Sequence, residues 1–326
     1  GIPSFRNEDI KWEETTAYNA GFDFGLINDR FTGSIEGFYK ESKDLLANAA
    51  ISDGSNFSNS GFQNIGNFTS QGLEFTINGD VIENTVDKGF NWNLNFNATY
   101  IQTEIKKLAL DQDQLVGGIS GGVGNTIQVN RVGYAPYSFY VYKQIYNSEG
   151  NPIEGGYADL NGDNIINNDD RYILKNGAPD VTMGFLSNMS YKNFDFSLNL
   201  RANLGNYVYN NVNSSRSQLS LLQNNAVASN LPRAVLESNF TTTSDVILSD
   251  YYIENASFLR MDNVTFGYTF ANVLNSRSSL RMYASVQNVF VITDYSGLDP
   301  EVFENGIDNT IYPRPRTFLL GANLRF

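Results

Sequence analysis

The sequence contains no cysteine and no histidine among its 326 residues. Without these residue types the chain cannot build a disulfide framework, a Cys/His zinc site, or a catalytic centre that uses a thiol or an imidazole. The absence of cysteine also suits a cell-envelope protein that is exported unfolded. The groups left for chemistry are carboxylates, amides, hydroxyls and aromatic rings.

Basic residues and long apolar runs are also scarce. Lys plus Arg number 22 against 35 for Asp plus Glu, a formal net charge of -13, which argues against a nucleic-acid partner. No segment approaches the roughly 18 consecutive apolar residues of a transmembrane helix, and the mean hydropathy is -0.31. These values do not exclude a membrane, because a transmembrane barrel distributes its apolar surface over alternate residues of its strands.

The stretch from Phe90 to Tyr100 has such an alternation. Its apolar row is Phe90, Trp92, Leu94, Phe96, Ala98 and Tyr100, and its polar row is Asn91, Asn93, Asn95, Asn97 and Thr99. Successive side chains of a strand point to opposite faces, so this stretch predicts one apolar face and one amide-rich face. The run of 11 residues matches a tilted membrane-spanning strand, and aromatic rings lie toward both ends of the apolar row, as at membrane interfaces.

The same pattern recurs along the chain. It predicts nine membrane crossings, at residues 16–26, 31–39, 72–82, 90–100, 182–191, 194–204, 257–270, 280–288 and 317–326. Short turns at 28–29, 84–88, 192–193 and 271–278 alternate with long loops at 43–66, 106–181, 205–250 and 291–313. Outer-membrane barrels alternate short periplasmic turns with long outer loops in the same way.

Nine antiparallel strands that start and end in the same direction cannot close on themselves. We therefore predict an all-β, antiparallel transmembrane β-barrel, of which residues 1–326 form the C-terminal segment and residues 107–181 an extracellular loop region. The start at Gly1-Ile2-Pro3, without a Met or a signal-like segment, fits a piece of a longer protein. A tenth strand within 106–181 is the alternative.

Four groups of motifs follow one another along the chain. They are Asn7-Glu8-Asp9-Ile10-Lys11-Trp12-Glu13; Asn64-Ile65-Gly66-Asn67 with Gly72-Leu73-Glu74; Ala256-Ser257-Phe258-Leu259-Arg260 with Asn263 and Gly267-Tyr268; and Asn288-Val289-Phe290 with Thr293, Tyr295, Gly297 and Asp299-Pro300-Glu301. Their order and spacing resemble the SusC/RagA family of large TonB-dependent outer-membrane importers of glycans and peptides. The chain departs from the family at Glu8, where Pro is usual. The final amphipathic strand, which ends on Phe326, is similar to the assembly signal of outer-membrane barrels.

The resemblance implies a barrel of about 22 strands in the outer membrane of a Gram-negative bacterium, a multi-pass protein. It implies a SusD-like lipoprotein as a lid, an oligosaccharide or peptide substrate between lid and barrel, and energy supplied through TonB. The family's plug domain and TonB-contacting segment would belong to an N-terminal part outside this sequence.

One loop has the oxygen-ligand spacing of a calcium site. Residues 159–170 read Asp-Leu-Asn-Gly-Asp-Asn-Ile-Ile-Asn-Asn-Asp-Asp. Ligands at loop positions 1, 3, 5, 7 and 12 would be Asp159, Asn161, Asp163, the Ile165 carbonyl and Asp170. Asn164 stands where Gly is usual, and Asp170 is shorter than the usual bidentate Glu. We expect a structural Ca²⁺ here; an Asn/Asp turn without an ion is the alternative.

Substrate contacts are expected among loop aromatics and inward polar groups. The aromatic candidates are Tyr134, Tyr137, Tyr140, Tyr207 and Tyr209, with Phe57 and Phe62. The lumen-lining candidates are Asn93, Asn95, Asn97, Asn199, Arg201 and Asn203. For the aromatics, packing against the barrel rim or the lid is the competing interpretation.

Two other functions compete with import. A calcium-stabilised soluble or surface β adhesin or lectin would keep the 159–170 loop but would not need detergent for extraction. A glycan-degrading enzyme needs two carboxyls at a set separation across the sugar, which Asp299 and Glu301, neighbours in one loop, do not supply. We therefore expect no catalytic residues and no enzyme.

Overall fold

The computed structural model describes residues 8–50, 60–84, 89–108, 112–119, 125–223, 230–241, 247–274, 277–302, 304–309 and 312–326. The strands are β1 (Glu14–Leu26), β2 (Phe31–Lys43), β3 (Leu46–Ala50), β4 (Ser60–Asn64), β5 (Gly66–Ile82), β6 (Phe90–Leu108), β7 (Gln114–Gly118), β8 (Thr126–Asn130), β9 (Ser138–Tyr142), β10 (Gln144–Tyr146), β11 (Pro152–Tyr157), β12 (Arg171–Asn176), β13 (Val181–Tyr191), β14 (Phe194–Leu204), β15 (Tyr207–Tyr209), β16 (Ile253–Asn255), β17 (Phe258–Ala271), β18 (Ser279–Thr293) and β19 (Thr317–Arg325).

Helices are short and lie in the connections between strands. The α-helices are α1 (Asn211–Arg216), α2 (Ser220–Gln223) and α3 (Val235–Ser238), and single 3₁₀ turns occur at Asn168–Asp170, Asp250–Tyr252 and Glu304–Gly306. None of the helices in these described ranges is long and apolar enough to span a bilayer.

Nine long strands form one antiparallel sheet in the order β1-β2-β5-β6-β13-β14-β17-β18-β19. Each strand pairs with the next long strand along the chain, and the edge strands β1 and β19 have one neighbour each. The sheet therefore has nine strands, as the sequence predicts, and is open within this chain. No strand between β6 and β13 joins it in the part of the chain that the structure describes, so the alternative of a tenth strand is not found there.

The strand register gathers the apolar rows on one face of this sheet. Phe96 of β6 lies opposite Ile77 of β5 and Phe185 of β13, and the same pairing continues to both edges. Side chains on this face remain exposed, for example Phe22 at 66% and Phe318 at 74%. The apolar rows therefore do not meet across a dry sandwich, the arrangement that a soluble β adhesin requires.

Two of the long strands extend beyond their predicted bounds. β6 continues from Tyr100 to Leu108, and β5 begins at Gly66 rather than Gly72. In the extension of β6, the outward side chains are Gln102 and Glu104, so the apolar row ends although the backbone pairing with β5 continues. Side-chain alternation predicts where a strand meets lipid, whereas the backbone hydrogen bonds decide where it ends.

The predicted long loop at 43–66 contains a hairpin that the sequence pattern does not predict. β3 and β4 pair within it as an antiparallel hairpin, from Leu46 opposite Asn64 to Ala50 opposite Ser60. Both strands consist mainly of small and polar residues, so no apolar alternation marks them. Phe57 and residues 85–88 and 275–276, which belong to this loop and to two predicted short turns, lie outside the described residues.

The long connections fold together as a second unit, which we term the loop assembly: the described residues of 112–180, 205–257 and 294–309. It contains a four-stranded sheet, β12-β9-β8-β7, and the pairs β10-β11 and β15-β16. Its main buried cluster is Ile119, Ile127, Phe139, Val141, Tyr209, Phe240, Ile247, Tyr252 and Ile307. A smaller cluster of Val208, Ala256 and Tyr295 also lies in these connections. The hydrophobic core therefore belongs to the loop assembly.

Candidate functional site

Six charged side chains meet where the loop assembly joins the polar face of the long sheet. This ionic cluster consists of Arg201, Arg260, Arg314, Asp262, Asp299 and Glu301. Arg201 comes from β14 and Arg260 and Asp262 from β17, where a register shift between Met261 and Asn263 interrupts the pairing with β18. Three positive and three negative groups balance within the cluster.

Arg260 is the buried centre of this cluster, with its side chain 2% exposed. Its Nη2 lies 2.7 Å from Asp299 Oδ1, its Nε lies 3.1 Å from Glu301 Oε2, and its Nη1 donates to Asn288 Oδ1 at 2.9 Å. Asp299 is 4% exposed and Glu301 is 18% exposed. A buried charge is tolerated only when it is paired, so this contact fixes the Asp-Pro-Glu segment against the sheet.

Arg201 and Arg314 complete the neutralisation of Glu301. Arg201 Nη1 lies 2.8 Å from Glu301 Oε1, and Arg314 Nη1 lies 2.6 Å from Glu301 Oε2. Burial alone would raise the pKa of Glu301, but the hydrogen bond and charge of Arg201, with Arg314 and Arg260, hold that pKa below its ordinary value. Glu301 is therefore ionised at neutral pH. It serves as a structural anion that holds this loop against the sheet.

A cavity of about 500 Å³ lies at the rim of the sheet, between the end of β6 and the loop assembly. Its described walls come from residues 101–104, 133–137, 176–180, 302, 305 and 306. Tyr134 and Tyr137, two of the predicted substrate contacts, line it and are 44% and 39% exposed. We term it the rim cavity.

The other predicted aromatic contacts lie elsewhere. Tyr140 donates from its hydroxyl to the Asn168 carbonyl at 3.1 Å and stacks under Arg171, whose Cζ lies 4.5 Å from the ring centroid. Tyr207 packs against the core cluster beneath Lys175, and Phe62 is 64% exposed on β4. Tyr209 is fully buried, and its hydroxyl donates to the Ile247 carbonyl, so the structure makes it a core residue rather than a ligand contact.

The predicted lumen-lining residues share the polar face of the long sheet. On β6, Asn93 donates to Asp80 Oδ1 at 3.0 Å, Asn95 donates to Asn78, and Asn97 lies against Gly184. On β14, Asn199 lies opposite Asn263 and Asn203 opposite Phe258, while Arg201 is held in the ionic cluster. Five amides thus present hydrogen-bonding groups along one face, and Arg201 serves to join the wall to the loop assembly.

The predicted calcium loop is an ordered Asx-rich turn. Asp159 accepts from the backbone N–H groups of Gly162 at 2.6 Å and Asn164 at 2.8 Å, and Asp163 accepts from Ile165 at 2.8 Å. Asn161 accepts from Asp163 N at 2.9 Å and donates to the Asp163 carboxylate at 3.1 Å. Asn164 adopts φ 67°, the left-handed conformation in which Gly is usual at that position.

Asp170 closes this loop from its buried end. It is 0% exposed and accepts from the backbone N–H groups of Leu160 at 2.8 Å and Asn167 at 2.9 Å. The Asn167 N–H, with those of Leu160 and Asn161, lowers the pKa of Asp170. Among the described residues, no three carboxylates converge as a ready metal site. Ca²⁺ binding at this loop therefore stays a prediction.

Three members of the ionic cluster were not predicted from the sequence: Arg260, Asp262 and Arg314. Arg260 stands in the Ser-Phe-Leu-Arg motif, but its partners lie 39 and 41 positions further along the chain, at Asp299 and Glu301. Asp262 lies in the register shift of β17, which no side-chain pattern marks. The sequence feature that could have indicated this cluster is an Arg near the start of a strand together with a distant Asp-Pro-Glu segment.

The sequence also matches known proteins along most of its length. Residues 1–289 match the family model described as TonB dependent receptor-like, beta-barrel. The chain is 46% identical to the TonB-dependent receptor SusC of Bacteroides thetaiotaomicron over 99% of its own length and 33% of that protein's. It is 30% identical to TonB-dependent receptor P3 of Formosa agariphila over 100% of its length and 35% of that protein's. The chain thus spans about a third of the length of these relatives.

Solved structures share the fold at lower identity. The RagAB peptide transporter aligns with a TM-score of 0.79 and 23% identity, over 99% of this chain and 36% of that chain. The RagAB peptide importer in its open-open state aligns with a TM-score of 0.75 and 22% identity, over 98% and 35%. The nine-stranded sheet is therefore an arc of a larger antiparallel barrel, as predicted.

The family model covers well over half of the chain, and the long sheet has the fold that this family forms. The prediction of an outer-membrane β-barrel of the TonB-dependent receptor class is confirmed by these matches. The chain belongs to the TonB-dependent receptor-like β-barrel family of the Gram-negative outer membrane.

Proposed function

We propose that this chain is the C-terminal arc of a barrel that imports oligosaccharides or peptides across the outer membrane with energy supplied through TonB. The observation that carries the proposal is the division of the long sheet into an exposed apolar face and an amide-rich face. Lipid covers the first, and the second lines an aqueous lumen through which a hydrogen-bonding substrate passes.

We further propose that a SusD-like lipoprotein closes the outer mouth of this barrel. The support is the loop assembly, which carries its own hydrophobic core and so forms a rigid platform at the end of the strands. SusC and RagAB are relatives whose names denote a receptor and a peptide transporter. The ionic cluster holds this platform to the wall through Arg201 and Arg260.

The experiment compares uptake in cells that carry the complete transporter with uptake in three deletion strains. These strains lack the barrel gene, the adjacent lipoprotein gene, or TonB. We expect uptake of a neutral oligosaccharide or a short peptide to be lost without the barrel or TonB, and the lipoprotein to co-purify with the barrel in detergent. Import by this protein would be contradicted if the uptake of every tested oligosaccharide and peptide persisted in the strain that lacks the barrel gene.

Ca²⁺ at the 159–170 loop is a second, smaller proposal. Its support is the spacing of oxygen ligands at Asp159, Asn161, Asp163, Ile165 and Asp170, which suits a hard cation. The role of the ion would be structural, since β11 and β12 flank the loop and Asp170 is buried beneath it. Removal of the ion is therefore expected to affect the stability of the loop assembly rather than the barrel.

A further inference from the structure

The hydrogen-bond ladder at the upper end of β6 is interrupted on one side. The Ile101 N–H donates to the Asp180 carbonyl at 3.0 Å. Four residues later, the Ile105 N–H donates to the Tyr134 carbonyl at 2.9 Å, and the Gly133 N–H donates to the Ile105 carbonyl at 2.9 Å. Two different segments thus pair with the same edge of β6, with a break between them.

Thr103 lies in this break. Backbone groups of alternate strand residues point to the same side, so the N–H and C=O of Thr103 face the break just as those of Ile101 and Ile105 do. Within the described ranges, no backbone group pairs with Thr103 on this side, because the β6–β13 pairing ends at Tyr100 and Val181. One donor and one acceptor therefore face the rim cavity, which Thr103 lines.

The walls of the rim cavity favour an uncharged ligand. Its polar lining residues include Glu104, Asp180, Asn176 and Asn305, and none of the described residues that line it is Lys or Arg. Carboxylates and amide oxygens accept hydrogen bonds from hydroxyl groups, and amide N–H₂ groups donate to them. A phosphate, sulfate or carboxylate would face the Asp180 carboxylate, and the nearby Lys106 is already paired with Glu104, with 2.8 Å between Nζ and Oε2.

Two tyrosines supply the apolar part of the wall. Tyr137 adopts φ 56°, a left-handed conformation that is strained for a bulky residue, and its N–H donates to Asn130 Oδ1 at 2.9 Å. Tyr134, which is 44% exposed, lines the same cavity. Aromatic rings offer flat apolar surface with a polar hydroxyl at the edge, which suits the C–H face of a sugar ring.

The length of the break determines whether a sugar ring or an extended peptide fits beside β6. Only residues 102–104 lie between the two paired segments, a distance of about 10 Å at 3.4 Å per residue. Asp180 closes one end and Tyr134 the other. An extended peptide that pairs with β6 would have to begin and end within this span, whereas a compact ring with hydroxyls on its rim fits it.

We propose that the rim cavity is a subsite for one neutral saccharide unit, held by the Thr103 backbone groups and by the rings of Tyr134 and Tyr137. The proposal rests on the import function above and specifies the substrate class that this part of the barrel selects. The Asp180 carboxylate accepts a hydrogen bond from a hydroxyl of the bound unit.

The test measures binding by the complete transporter with its lipoprotein in detergent. The probes are neutral gluco-, xylo- and manno-hexaose, an uncharged hexapeptide and a sulfated oligosaccharide, each titrated by calorimetry. Tyr134→Ala removes a ring, and Ala178→Phe fills the cavity from an exposed wall position. Tyr146→Ala is the matched control, because Tyr146 is 50% exposed on β10 and does not line the cavity.

We expect the affinity for at least one neutral hexaose to fall about three- to tenfold in Tyr134→Ala, because the loss of one aromatic contact weakens binding by about that factor. The affinity should fall further in Ala178→Phe and stay unchanged in Tyr146→Ala. The proposal is overturned if the wild type binds no neutral hexaose, if both cavity variants bind like the wild type, or if they lose only the peptide. Uptake by cells distinguishes failure of the subsite from failure of the import function. If uptake requires the barrel but is unchanged in both cavity variants, the subsite proposal is wrong and the import function still holds.

Discussion

The long sheet and the loop assembly use the same strand alternation in opposite ways. In the sheet, large apolar side chains such as Phe318 and Leu320 are 74% and 88% exposed. In the loop assembly, Phe139 and Val141, also on a strand, are both 0% exposed. The first set is stable because lipid surrounds it, and the second because protein does.

This difference shows that the two regions depend on different solvents for stability. The sheet gains its stability from backbone hydrogen bonds in lipid, where an unpaired group costs several kcal/mol. The loop assembly gains its stability from buried apolar area, as a small globular domain does. The ionic cluster is the junction where these two modes of stabilisation meet.

The largest effect is expected from Arg260→Met at this junction. Removal of the guanidinium leaves Asp299, which is 4% exposed, with Arg314 at 3.4 Å and the Glu301 N–H at 2.9 Å. An uncompensated buried charge costs about 3–5 kcal/mol. We expect a lower unfolding temperature for the loop assembly in detergent-purified protein, with the barrel still folded by heat-dependent migration on gels.

Arg281→Met is the matched control for that variant. Arg281 also pairs with a carboxylate, Asp195, at 2.5 Å, but both side chains are about one third exposed, at 32% and 36%. Exposed ion pairs contribute only about 0–1 kcal/mol. Equal losses in Arg260→Met and Arg281→Met would show that burial at the junction has no special role.

A charge placed on either face of one strand tests the division of the sheet. Leu94→Lys puts an ammonium group on the apolar face of β6, and Asn95→Lys puts one on the polar face at the same depth. We expect a loss of about 2–4 kcal/mol for Leu94→Lys and little for Asn95→Lys. Refolding into lipid vesicles under urea measures both, and similar losses would mean that lipid does not cover the Leu94 face.

The long sheet was largely predictable from the sequence because lipid enforces strict alternation. β13 and β14 lie within one residue of their predicted bounds, and the tight turn at Lys192-Asn193 follows from composition alone. The upper parts of β5 and β6 were not predictable, since outside the membrane the outward residues Gln102 and Glu104 no longer have to be apolar.

The loop assembly and its sites were much less predictable. Tyr209 and Tyr134 are both tyrosines in predicted loops and look alike in the sequence. Tyr209 is buried and Tyr134 is exposed, because tertiary packing decides which side chain is covered. The break in pairing at Thr103 depends on where two distant segments end, which no local pattern records. By contrast, the backbone turn at 159–170 follows from local Asn and Asp chemistry, while the ion expected there stays a prediction.

Removal of Ca²⁺ gives a smaller effect that should be confined to the loop assembly. If the 159–170 loop binds the ion, saturation at 100 times the dissociation constant stabilises by about 2.7 kcal/mol. A chelator should then lower the unfolding temperature of the loop assembly, and added Ca²⁺ should restore it. Asp163→Asn removes one exposed carboxylate and should abolish the response, whereas Asp113→Asn, also in the loop assembly, should leave it intact. A wild-type protein that is insensitive to the chelator contradicts the site.

The smallest expected effect comes from a single hydrogen bond on the lipid face. Trp92 Nε1 donates to Ser187 Oγ at 2.9 Å, between adjacent strands whose other side chains on that face are mainly apolar. Ser187→Ala leaves the indole N–H without a partner in lipid, and hydrogen bonds between elements in membranes contribute about 0.6–1.7 kcal/mol. We expect a loss near 1 kcal/mol in vesicle refolding. Ser190→Ala, on the polar face of the same strand, should cost less because water hydrates that face. If the two variants lose equal stability, water reaches both faces equally, and the contrast between the sheet and the loop assembly would no longer depend on lipid.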